Sequence, residues 1–169
     1  SWFLDAFNYA ILQQRKRRVR LHVLNLSIGG PDFMDAQFVR KVREVSAAGI
    51  LLVSGIGNEG PLYGTLSNPA DQPDVVGVGG INADGQLARF SSRGMTTWEL
   101  PAGYGRLKPD LVTYSTHIRS SRLRSGGGGG GNCKSLSGTS VASPIVAGAC
   151  ALLLSAALSG NHSPRGVAP

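Results

Sequence analysis

The apolar positions of this chain change their spacing repeatedly, from the three-and-four interval of a helical face to the unbroken run of a buried strand. Phe3, Leu4, Phe7, Ala10 and Ile11 share one face if residues 1–12 are helical. Residues 23–28, VLNLSI, then read as a buried strand, stopped by the Gly29-Gly30-Pro31 turn signal. Residues 36–48 return to helical spacing, with Phe38, Val39, Val42 and Val45 on one side and Gly49 as the stop. Further strand-like blocks occupy 50–54, 75–79 and 110–113. Strands alternating with helices predict an α/β fold, a mainly parallel sheet flanked by helices on both faces. Such sheets collect ligands at the carboxyl ends of their strands, which directs attention to Ser27, Ile28, Gly29 and Gly30 and to Gly55, Ile56, Gly57 and Asn58.

The last apolar block, residues 141–158, just reaches the length of a membrane-spanning helix. Ser143, Pro144, Gly148 and Ser155 interrupt it, and it is read instead as a helix buried on all sides inside a domain.

The length, 169 residues, suits one domain. A net charge of +7 invites an anionic partner, but five of the 17 basic residues crowd into 15–20 and the rest of the chain carries only +2. The excess therefore belongs to one segment, read as a solvated loop or helix end. No aromatic residue interleaves with it to stack on bases, so no nucleic-acid partner is expected. Cys133 falls in the loop before the last helix and Cys150 ten residues into it, ~15 Å along, which predicts two free thiols. No His/Cys/Asp group has the spacing of a metal site. The glycine run 126–131 reads as a flexible loop, and residues 159–169 as a disordered tail. No signal peptide is recognisable, and a start at Ser1 rather than Met reads as a piece of something longer or a processed product.

The chemistry concentrates in residues 137–144, SGTSVASP. Ser140 falls in the first turn of the last helix, where unpaired N–H groups and the helix dipole favour developing negative charge. Gly138 is read as a place where a Cβ would collide with passing backbone, and Pro144 as tolerable because it lies near the helix start. Acyl transfer by a serine needs a nucleophile, a base and donors for the oxyanion. Ser140 is the candidate nucleophile; the Asn58 side-chain amide and the Ser140 N–H are candidate donors. The extended backbone of Ser27, Ile28 and Gly29 can pair with a substrate strand and wall a side-chain pocket.

These segments, in this order, resemble the subtilisin-like serine proteases. The resemblance is carried by residues 24–30 (LNLSIGG), the Gly57-Asn58 step, residues 89–94 (RFSSRG) and residues 138–144 (GTSVASP). Residues 56–66, 68–72 and 89–101 resemble more finely the site-1-protease branch of that family. The resemblance implies a serine endopeptidase with Ser140 as nucleophile and Asn58 as oxyanion donor. Ser27, Ile28, Gly29, Gly55, Ile56, Gly57 and Thr139 would then bind substrate. It implies polypeptide substrates, in particular membrane-bound precursors, and a site of action in the lumen of the secretory pathway (Golgi or ER). It implies no cofactor; calcium accompanies many subtilases, but no residue here can be assigned to it.

The chain also departs from the family. A subtilase triad needs an aspartate in an Asp-Ser/Thr-Gly context and a histidine in a His-Gly-Thr context, both upstream of the oxyanion asparagine. Neither is present: His22, His117 and His162 are not followed by Gly-Thr. Residues 1–158 are therefore expected to form the carboxyl-terminal part of a subtilase catalytic domain, inactive alone because half of the site is missing. The alternatives are a pseudoprotease or truncated gene product and, as the weaker one, a basic nucleic-acid-binding module.

Overall fold

A computed structural model describes residues 2–16, 20–31, 35–96, 105–122 and 133–159. The first helix, α1 (Trp2–Arg15), buries Phe7, Ala10 and Ile11, while Trp2 and Phe3 stay exposed. Its last turn carries Arg15, the sign favoured at a helix carboxyl end. Strand β1 (Val23–Leu26) follows, and then α2 (Ala36–Ala47). Asp35 caps α2 by accepting hydrogen bonds from the Gln37 and Phe38 backbone N–H groups at 3.1 and 3.0 Å. Gly49, at φ +79°, ends the turn that follows it, as the sequence predicts. The Phe7 and Phe38 rings lie 5.7 Å apart and tilted, joining α1 to α2.

Strands β2 (Leu51–Gly55) and β3 (Val75–Ile81) come next, then a two-residue antiparallel pair, β4 (Gly94–Met95) with β5 (Leu107–Lys108). Strand β6 (Leu111–Tyr114) precedes an antiparallel hairpin of β7 (Ile118–Ser121) and β8 (Cys133–Leu136), and α3 (Thr139–Ser159) closes the order. Four strands make one fully parallel sheet, β1-β2-β3-β6, with Leu24 beside Leu52 and Val53 beside Val76. Its two faces are covered separately. On one face, Phe7 and Ile11 of α1 and Val42 and Val45 of α2 pack with Ile50, Leu52 and Val75. On the other, Ala142, Val146 and Ala147 of α3 pack on Val53 and Val78. The α/β architecture, with helices on both faces, is as the pattern predicts.

Three readings change. The segment 23–28 is a shorter strand at the sheet edge and only half-buried, because no second neighbour covers β1 among the described residues. Cys133 opens strand β8 instead of lying in a loop; both cysteines are free. Helix α3 is not buried all round. Its buried residues, Thr139, Ala142, Ser143, Val146 and Ala147, belong to one face of its first half, while Leu152 and Leu153 are 74% and 71% exposed. Geometry explains this: 21 residues of helix span ~31 Å, whereas the longest strand beneath, seven residues, spans ~23 Å. With mean hydropathy 2.1, α3 is also long and apolar enough to cross a membrane. The glycine run, His162 and residues 17–19 lie outside the described residues; of the segment 159–169 only Ser159 is described, and it ends α3.

Lysine 108 forms an internal tie that sequence patterning does not reveal. Its ammonium is buried and donates to the Gln72 and Val75 carbonyls at 3.0 and 2.8 Å and to Asp110 Oδ2 at 2.6 Å. Asp110 Oδ2 also accepts from the Gly77 N–H at 2.7 Å. A buried charge is tolerated when oxygens surround it in this way, and the tie pins β5 and β6 against the start of β3.

Candidate active site

The carboxyl ends of β1 and β2 meet the start of α3 around a cavity of about 240 Å³. Ser27, Ile28, Gly29, Gly55, Gly57, Asn58, Thr139 and Ser140 line it, so the structure assembles eight of the nine predicted site residues, drawn from segments up to 113 positions apart. The ninth, Ile56, does not face the cavity. It is fully buried, its side chain packing toward Gly77 and β3, because alternation along the strand turns it into the core.

The joint between β2 and α3 is tight. At Gly55 an added Cβ would lie 2.9 Å from the Thr139 carbonyl oxygen. Gly57, at φ +117°, would place one 2.6 Å from both the Ser67 and Ser92 hydroxyls. Gly138 differs from its sequence reading: a Cβ there has ordinary room, with its nearest neighbours at 3.6 Å, and it is the φ of +146° that calls for glycine. Pro144 is the sixth residue of α3, one turn deeper than the start, where it removes the N–H that would bond the Ser140 carbonyl.

Thr139 positions Asn58. Its backbone N–H and its hydroxyl both donate to Asn58 Oδ1, at 2.8 and 3.1 Å, and the hydroxyl is also 3.2 Å from the Gly57 carbonyl oxygen. The acceptor end of the Asn58 amide is thereby occupied, and its donor end, Nδ2, has no protein partner among the described residues. The opening N–H groups of α3 divide similarly. The N–H of Gly138 bonds the Ser115 carbonyl, that of Thr139 bonds Asn58, and that of Val141 bonds the Gly138 carbonyl. The Ser140 N–H has no acceptor among the described residues. Two free donors therefore stand at one cavity beside an exposed serine hydroxyl.

Ser27 is held from below: its hydroxyl lies 3.0 Å from that of Ser143 and accepts from Asn25 Nδ2 at 2.8 Å. This ties the end of β1 to α3, and leaves its backbone and that of Ile28 and Gly29 to run past the strand without ladder pairing.

Glu59 and Ser67 also line the cavity and were missed. Glu59 follows Asn58 directly, so the motif contained the signal; its Oε2 accepts from the Asn58 N–H at 2.8 Å and from the Ser92 hydroxyl at 3.1 Å. Ser67 arrives through a long connection and had no local signal. Gly29, Glu59 and Ser67 are shared with a second chamber of about 540 Å³ that is also lined by Asp71. Asp71 is 4% exposed and its Oδ1 has no hydrogen-bond partner among the described residues. Desolvation raises its pKa above 3.8, against the pull of a backbone N–H and of the Lys108 charge.

No histidine lines the cavity among the described residues. His22 precedes β1 with a buried, unpartnered Nε2, and His117, at φ +54°, donates its backbone N–H to the Ser137 hydroxyl at 2.9 Å. No group of three potential ligands gathers to hold a metal among the described residues.

Comparison with known proteins identifies the family. The family model described as the subtilase family matches residues 1–166. The human membrane-bound transcription factor site-1 protease is 64% identical over 155 residues, 92% of this chain and 14% of that protein. Subtilisin-like protease SBT6.1 of Arabidopsis thaliana is 62% identical over the same shares. A solved structure titled S41 psychrophilic protease superposes with a TM-score of 0.73 at 21% identity, over 93% of this chain and 50% of that one. The chain thus spans about one seventh of the length of these two relatives, and by its sequence it belongs to the subtilase family.

Proposed function

We propose that residues 1–158 form the carboxyl-terminal part of a subtilase catalytic domain, the part that bears the serine and the oxyanion donors of a peptide-bond hydrolase. Ser140 Oγ attacks the scissile carbonyl, and the carbonyl oxygen, now negative, accepts from Asn58 Nδ2 and the Ser140 N–H. The observation that supports this best is the pair of Thr139 hydrogen bonds to Asn58 Oδ1, which leaves only the donor end of that amide available. A donor set in advance needs no reorganisation as charge develops. Ser27, Ile28, Gly29, Gly55 and Gly57 would hold the substrate backbone and the side chain before the cleaved bond. Thr139 acts through Asn58 and is a positioning residue.

A serine hydroxyl without a base is a weak nucleophile at neutral pH. The proton acceptor and its orienting carboxylate must come from outside the described residues, and this chain by itself is inactive. The parent is a site-1-protease-like processing enzyme in the lumen of the secretory pathway, acting on membrane-bound precursor polypeptides.

The test is labelling by a fluorophosphonate, applied to this chain and to the longest polypeptide encoded in frame with it. Labelling of the longer form only, abolished by Ser140→Ala, is the expected result. Labelling of neither form would replace this reading with that of a pseudoprotease.

A further inference from the structure

No Asp or Glu follows Asp110 in the sequence. The hairpin of β7 and β8 lies entirely within that acid-free stretch. It carries Arg119 on β7, Arg122 just after it and Lys134 on β8, all exposed and none in an ion pair among the described residues. Arg119 stands opposite Ser135 and Lys134 opposite Ser120. Successive strand positions face opposite sides, so the arm presents positive charge on both of its faces.

Its root is fixed to the serine. The turn before β7 and the start of α3 are joined by the Gly138 N–H to the Ser115 carbonyl and by the His117 N–H to the Ser137 hydroxyl, each at 2.9 Å. Only Ser137, Gly138 and Thr139 separate the end of β8 from Ser140. The cavity itself carries the opposite charge: Glu59 lines it, and the adjoining chamber holds Glu59 with the buried Asp71, whose Oδ1 has no partner among the described residues.

We propose that the β7–β8 arm is an electropositive subsite for the leaving-group side of the substrate, and that it selects peptides with acidic residues in the first few positions after the cleaved bond. This rests on the serine-hydrolase reading above, because Ser140 defines where that bond lies and the Gly55–Asn58 wall takes the side chain before it. The reversal of charge sets direction as well as affinity. Acidic residues displaced to the Glu59 side would meet like charge, and on the arm side they meet Arg119, Arg122 and Lys134. Arg20 does not compete for this role, since it lies three residues before the amino end of β1, at the opposite end of the sheet from the cavity.

The experiment titrates the full chain with fluorescent peptides that share the head Ala-Ala-Ala-Leu before the cleaved bond. After it they carry Glu-Glu, Gln-Gln or Lys-Lys at the second and third positions, and anisotropy gives Kd. The Glu-Glu peptide is expected to bind roughly fivefold more tightly than the Gln-Gln peptide at low salt, a preference that salt weakens. It disappears when Arg119, Arg122 and Lys134 are all replaced by alanine. Charge reversal by Arg119→Glu with Lys134→Glu inverts the order in favour of Lys-Lys, a gain that misfolding does not produce. Equal binding of the three peptides overturns the proposal. So does equal binding of a Glu-rich tail lacking the head, because the arm then collects polyanions without reference to the cleft. Fluorophosphonate labelling of the longer in-frame polypeptide is read separately: labelling there without the charge preference counts against the arm, and the preference without labelling of that longer form counts against Ser140 as the cleaving serine.

Discussion

Asn58 and Ser140 share one cavity, yet the structure holds their side chains very differently. Asn58 Oδ1 takes two hydrogen bonds from Thr139, its backbone N–H is held by Glu59, and the glycines beside it admit no Cβ without displacement. The Ser140 hydroxyl, two residues past Gly138, has no partner among the described residues. In the roles proposed above, the oxyanion side of the site is assembled by the chain's own packing, and the proton-transfer side is left open. Electrostatic preorganisation comes from rigid backbone and one amide, both of which a single β2–α3 joint can supply. A base with its orienting carboxylate needs further elements at the same mouth.

The largest effect that sharpens this contrast is expected from Asn58→Asp, which keeps the acceptor for Thr139 and removes the amide donor. In any form of the protein that labels at Ser140, the labelling rate should fall about 100- to 1,000-fold with little change in thermal stability. A loss below tenfold would break the assignment. Gly57→Ala comes next: its φ of +117° and its 2.6 Å approaches predict about 3 kcal/mol of destabilisation by urea denaturation, from strain and overpacking together. Ser27→Ala, which unties β1 from α3, should cost about 1 kcal/mol in the same assay.

Asp71 tests the chamber behind the site through pH. Its pKa is raised in the folded state, chiefly by desolvation, so the fold binds that proton more tightly than the unfolded chain does. Its contribution is favourable below the ordinary value of 3.8 and is lost as pH rises through the raised folded value. Asp71→Asn should therefore match the parent in stability at low pH and exceed it at neutral pH, and a pH series of thermal melts checks the crossover. The smallest expected effect is that of His117→Ala. A labelling rate within about twofold of the parent keeps the proton-transfer side open, as general-base catalysis contributes at least about 100-fold; a hundredfold loss would place the base on the β6–β7 turn.

The local pattern of the sequence carried most of the fold and placed most of the proposed site. Period and turn residues located α1, α2 and the parallel strands, because the helices bury one face each and the central strands bury an unbroken apolar run between two layers. The segments 27–29, 55–58 and 137–144 drew attention because they follow buried strands or open an apolar helix, and the structure brings all but Ile56 of their predicted site residues to one cavity. What the tertiary structure decided depends on distant neighbours. Ile56 went to the core because alternation beyond β2 turns it away from the cavity and toward Gly77, and β1 became half-buried because it is an edge. The leucines at 152 and 153 emerged into solvent because α3 outruns the sheet. Ser67 reached the cavity, and Lys108 the carbonyls of Gln72 and Val75, by long connections that no short window contains. Periodicity records which face of an element is apolar; only packing determines what that face meets.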